Sequence, residues 1–71
     1  LSYKEQRELE ALPARIEALE TEQKQIAERL AGAEVYVSEP QRVGELQARH
    51  DTIEDELMQA LERWEALSAS R

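Results

Sequence analysis

The stretch Ala31-Gly32-Ala33-Glu34-Val35-Tyr36-Val37-Ser38-Glu39-Pro40-Gln41 is where the chain reverses direction, and it decides the fold. On either side of it, apolar residues recur at alternating steps of three and four, the pattern of a helical seam buried against a partner. Gly32 is suited to end the first arm in the left-handed conformation that other residues resist. Ser38 is suited to start the second, with Gln41 three residues on as the reciprocal member of a capping box. A short break between two helical arms makes them antiparallel neighbours. The expected fold class is therefore all-α: an antiparallel two-stranded coiled-coil hairpin.

The first seam runs Leu9, Leu12, Ile16, Leu19, Gln23, Ile26, Leu30, Ala33, and the second Val43, Leu46, His50, Ile53, Leu57, Ala60, Trp64, Leu67. With Leu9 as heptad position a, Leu12, Leu19, Ile26 and Ala33 fall at d. On the second arm Val43, His50, Leu57 and Trp64 are a, and Leu46, Ile53, Ala60 and Leu67 are d. Two registers fit, one heptad apart. In one, Leu19 faces His50, and the flanking pairs are Glu8 with Arg63, Arg15 with Glu56, and Glu22 with Arg49. The other sets Arg15 against Arg63 and Glu22 against Glu56. Opposite charges favour the first register.

Ser2 and Glu5 form a capping-box pattern that starts a helix at Tyr3. Pro13 removes a backbone bond and crowds the carbonyl of Leu9. The expectation is a short helix over 3–11, a kink, a long helix over 13–31 opened by Pro13, a tip loop over 32–38 and a second helix over 39–68. A single bent helix is the alternative. The short helix would fold Leu1, Tyr3 and Leu9 over Trp64 and Leu67, giving a three-layered base with Met58 and Leu61 on the same apolar face. At the other end, Val35 and Tyr36 are too apolar for a free loop and should lie over Leu30 and Val43 as a lid.

The chain of 71 residues is one domain, 1–71, with little core. With 35% charged residues and only two Tyr, one Trp and no Phe, it suits a long, exposed helical body. The absence of cysteine excludes disulfides and thiolate chemistry, and no apolar run spans a bilayer. No signal-peptide pattern is present. Opening on Leu1 without Met, the sequence reads as a piece of something longer.

No catalytic constellation is present, so an enzyme reading has no support. His50 with Asp51 and Glu54 makes at most half a metal site, lacking a second strong ligand pair. His50 reads instead as a seam histidine hydrogen-bonded near Gln23, the two setting the register as a polar pair on opposite arms. Trp64 reads as a core cap. The net charge of −7 disfavours nonspecific attraction to phosphate. Its distribution matters more. Between Gln23 and His50, four bases (Lys24, Arg29, Arg42, Arg49) balance four acids, so the tip half is neutral and the whole −7 lies towards the termini. Any nucleic-acid contact should use those four bases, with Arg29 and Arg42 adjacent across the hairpin as an unrelieved like-charge pair.

The opening Leu1-Ser2-Tyr3-Lys4-Glu5-Gln6-Arg7-Glu8-Leu9-Glu10-Ala11-Leu12-Pro13 carries a family likeness. With Ile16-Glu17-Ala18-Leu19-Glu20 and the closing Glu62-Arg63-Trp64-Glu65-Ala66-Leu67, it closely resembles the C-terminal domain of Uup-type ABC-F ATPases. The likeness covers essentially the whole chain. The tip departs, with Val35-Tyr36 where the family has a more aromatic pair. The resemblance implies a soluble, cytoplasmic bacterial parent with two tandem ATP-binding cassettes and no membrane domain. ATP and Mg belong to those cassettes, and this fragment needs no cofactor of its own. Such domains are associated with DNA binding, and ABC-F proteins act on the ribosome. The leading expectation is a non-catalytic arm contacting DNA or ribosomal RNA through its tip. The rival is a structural or protein-interaction module that braces the cassettes or self-associates as a weak homodimer. An uncovered apolar stripe at Met58 and Leu61 would favour the rival.

Overall fold

A computed structural model of the chain describes residues 1–70. Helix α1 runs Tyr3–Ala31, a one-turn helix α2 spans Glu34–Ser38, and α3 runs Pro40–Ala69. No strand occurs among the described residues, and the expected all-α hairpin is the fold. The body measures 51 × 16 × 15 Å with a Cα radius of gyration of 15.9 Å. A compact globule of this length would have about 11 Å. The molecule is a rod.

The start of α1 follows the expected capping box. The Glu5 amide donates to Ser2 Oγ at 3.1 Å, and the Ser2 amide donates to Glu5 Oε1 at 3.2 Å. The expected division into helices 3–11 and 13–31 does not occur: α1 continues through Pro13 as one helix of 29 residues. Proline deletes a single backbone bond, whereas Leu9 and Leu12, just before it, are both buried against Ala60 and Leu67. Packing of an apolar face sustains a helix more than local propensity does, and here it outweighs the lost bond.

The tip also differs from expectation. Gly32 caps α1 at φ −84°, an ordinary conformation rather than the left-handed one, and its amide donates to the Glu28 carbonyl at 3.2 Å. Residues 32–38 are not simply a loop, because they contain α2. Val35 is only 4% exposed and packs into the cluster of Leu19, Ile26, Leu46 and Ile53, with Leu30 and Val43 against it. The Tyr36 hydroxyl donates to the Leu30 carbonyl at 2.8 Å. The lid over Leu30 and Val43 is thus a helical turn anchored by one valine. Ser38 is consumed as the last residue of α2, so it cannot cap α3. That helix starts instead at Pro40, behind Glu39, with no side-chain cap. Proline at the first position costs nothing, since its missing N–H would have been unpaired anyway.

Two cross-arm ion pairs fix the register. Arg63 reaches Glu8 at 2.7 Å, and Arg49 reaches Glu22 at 2.7 Å. Fourteen residues forward on α1 correspond to fourteen backward on α3, so the arms are antiparallel in the charge-favoured register. The third pair of that register is not made, for Glu56 turns to Arg49 at 3.5 Å rather than to Arg15. Seven residues separate Arg49 from Glu56, two turns along the same helix face, so one guanidinium serves both carboxylates.

Burial is uneven across the seam. Position d is buried at Leu12, Leu19, Ile26, Leu46, Ile53, Ala60 and Leu67, and Ile53 is fully enclosed. Position a is buried only at Leu9; Ile16, Gln23, Leu30, Val43, His50 and Leu57 are half-buried and Trp64 is exposed. The expected three-layered base is absent as well. Because α1 does not fold back, Leu1 and Tyr3 stay exposed and Tyr3 instead accepts from Arg7 Nη1 at 3.1 Å; of the expected cover only Leu9 meets Leu67, in one buried cluster. Trp64, expected to cap the core, is 39% exposed, Leu61 47% and Met58 63%.

Candidate nucleic-acid interface

The four tip bases do not stand equally free. Arg49 is held by two parallel bonds to Glu22, Nε to Oε2 at 2.7 Å and Nη2 to Oε1 at 2.8 Å. Such a charge-assisted fork is the strong form of an Arg–carboxylate pair. The bond to Arg49 holds the Glu22 carboxyl below the usual carboxylate range, and the same bond to Glu22 pushes the guanidinium above its own. Arg49 therefore serves the hairpin before any ligand.

Arg29, in the last turn of α1, donates from Nη2 to Glu39 Oε2 at 2.7 Å. The expected unrelieved pairing of Arg29 with Arg42 is corrected by this contact. The α2 turn brings Glu39 back over the end of α1, and a carboxylate just before α3 also meets the positive end of that helix. Arg42 has only a long contact, 4.0 Å from Glu45. Lys24 has no ion pair among the described residues. The hollow between α1 and α2 sets Glu28, Glu34 and Glu39 around Arg29, so it offers phosphate no net attraction. Lys24 and Arg42 are the bases left to meet a partner.

Gln23 and His50 lie on opposite arms but make no hydrogen bond to each other. His50 Nδ1 is 3.7 Å from Glu54 and 3.9 Å from Asp51 on its own helix, beyond hydrogen-bond distance. The seam at this level is held by Arg49 one residue away, a role the heptad pattern gave only in part. Among the described residues no group of three or more His, Cys, Asp or Glu is placed to hold a metal. Among the described residues no helix is long and apolar enough to cross a membrane.

The base has its own clasp. Arg63 donates from Nε and Nη2 to Glu8 at 2.7 and 3.0 Å, with Glu5 at 4.0 Å. Hydrogen bonding to Arg63 lowers the Glu8 carboxyl, while the Ser2 amide and then its hydroxyl lower Glu5. Sequence reasoning found this clasp through charge pairing. It did not find the Tyr36–Leu30 bond, which follows only once α2 exists.

Residues 1–69 match the family described as the ABC transporter C-terminal domain. The chain belongs to this family. As an ABC transporter C-terminal domain, it corresponds to the end of such a protein and not to its catalytic cassette. It is 41% identical over 69 residues to the ATP-binding protein Uup of Escherichia coli (strain K12). That alignment covers 97% of this chain and 11% of the relative, so the chain spans about a tenth of the length of the curated protein it matches. No solved structure matches it significantly. Membership agrees with the likeness carried by the opening Ser2-Tyr3-Lys4-Glu5 and the closing Arg63-Trp64-Glu65.

Proposed function

We propose that this ABC transporter C-terminal domain is the non-catalytic arm of a cytoplasmic ABC-F ATPase, and that its tip contacts nucleic acid, either DNA or ribosomal RNA. ATP and Mg act in the cassettes of the parent. The observation that supports the reading is the segregation of charge along the rod. Twelve of sixteen acids lie outside the segment from Gln23 to His50, which is itself neutral. An acidic base turns phosphate away while a neutral tip with Lys24 and Arg42 accepts it locally. Arg29 joins them if phosphate replaces Glu39, since an exposed pair is a weak competitor.

Gel-shift titration against duplex DNA and structured RNA tests this. Lys24→Glu with Arg42→Glu should abolish binding, and the paired neutral variant should lower the salt slope by about 2, close to one unit per phosphate contact. Lys4→Glu with Arg7→Glu should matter little. Unchanged affinity after the tip reversals removes the site.

A second reading is a protein-interaction module. It is favoured by the uncovered apolar stripe at Met58, Leu61 and Trp64, which a purely nucleic-acid-binding rod would not need.

A further inference from the structure

We propose that the flank of α3 from Glu54 to Glu65, beside the seam with α1, is a docking groove for a basic amphipathic helix, which would complete a three-helix bundle with α1 and α3. The inference rests on the protein-interaction reading and is independent of the tip. Leu57, Leu61 and Trp64 follow one another at steps of four and three, with Met58 alongside. Each step is one helical turn, so the row is about 10 Å long and matches the anchor spacing of a helix laid beside it. Leu57 packs on the buried cluster beneath, which makes the row continuous with the core.

The uneven seam points the same way. On α3 every d position is buried, whereas position a is half-buried at Val43, His50 and Leu57 and exposed at Trp64. Two helices bury one shared stripe, and a helical face wider than that stripe asks for a third. Being unbroken at Pro13, α1 cannot fold back to supply it.

The rim selects the occupant. The groove is lined by Leu57, Met58 and Leu61, with Glu54, Glu62 and Glu65 around them and Gln23 on the α1 side; among the described residues no base lines it. Three carboxylates beside an apolar floor complement lysine or arginine flanking leucine-like anchors. A second copy would bring the same carboxylates against these, and each copy carries −7. Nucleic acid and anionic lipid are repelled by the same rim.

Trp64 is the chain's one tryptophan and, 39% exposed, ends the row that Leu57 and Leu61 begin, so its emission reports on a helix laid along that row. The probe is a synthetic peptide of roughly 18 residues with Leu at i, i+3, i+4 and i+7 and Lys elsewhere. A Glu-for-Lys version serves as its control. The Lys peptide should give a saturable blue shift and the Glu peptide none. The triple variant Glu54→Lys, Glu62→Lys, Glu65→Lys should weaken the Lys peptide at least about tenfold and admit the Glu peptide. Leu61→Ser, at an exposed site that should leave helix content unchanged by circular dichroism, should also weaken binding. Lys24→Glu with Arg42→Glu should leave the shift intact, which separates this groove from the tip. Silent Trp64 emission, equal response to both peptides, or full binding by Leu61→Ser would overturn the proposal. So would a homodimer in sedimentation that covers Trp64 without peptide.

Discussion

Arg49 and Glu22 are joined across the seam by two bonds of 2.7 and 2.8 Å, and the same guanidinium lies 3.5 Å from Glu56. One cation thus keeps two carboxylates from opposite helices in a single cluster. Replacing it with a side chain of similar length, Arg49→Met, leaves Glu22 and Glu56 to repel each other. Thermal unfolding should show a midpoint lowered by a few degrees, and Glu22→Gln in that background should recover part of the loss. Equal midpoints for wild type and Arg49→Met would mean that the cluster contributes nothing to stability.

The same clasp predicts a pH dependence with a definite sign. Glu8 and Glu22 ionise more readily in the folded chain than in the unfolded one, because Arg63 and Arg49 bond to their charged forms. Their stabilisation is complete above the unfolded carboxylate value of about 4.3 and is lost as pH falls through the lower folded values. The gap in unfolding midpoint between wild type and Arg49→Met should therefore be constant from pH 8 to 6 and close towards pH 3. A gap that widens on acidification contradicts the assignment.

Pro13 lies inside a continuous α1, with Leu9 and Leu12 buried just ahead of it. Pro13→Ala restores an amide to the Leu9 carbonyl and relieves its steric crowding. Chemical denaturation should show stabilisation of about 1–3 kcal/mol, the upper end being the intrinsic propensity difference between the two residues. Destabilisation would indicate a break in α1 that the chain requires.

Ile53 is fully enclosed at the centre of the seam, whereas Val37 on α2 is 81% exposed. Ile53→Ala should cost about 2–5 kcal/mol, while Val37→Ala should stay within about 0.5 kcal/mol. Val35→Ala, beside Val37 but only 4% exposed, should fall between them and loosen the tip, read by faster amide exchange in α2. Equal losses at 35 and 37 would mean that α2 is not anchored as described.

Heptad spacing made the two arms legible, and opposite charges at Glu8–Arg63 and Glu22–Arg49 singled out their register. Both signals are local or pairwise, and both survive folding unchanged. Where reading from residues failed, a tertiary contact overrode a local preference. Leu9 and Leu12 carried the helix through Pro13, and Val35 pulled Ser38 into a turn that local cap chemistry assigned elsewhere. The tip site was legible as a count of charges but not as geometry. Glu39 reaches Arg29 only because α2 places it there, and no spacing rule contains that reach.

Leu1 and Ser70 lie at the same end of a rod 51 Å long, with α2 towards the other end. Whatever grips that end therefore works the whole body as a lever. A pivot of a few degrees beside the Glu8–Arg63 clasp would swing Tyr36 and Val37 through several ångströms, without repacking a single core side chain.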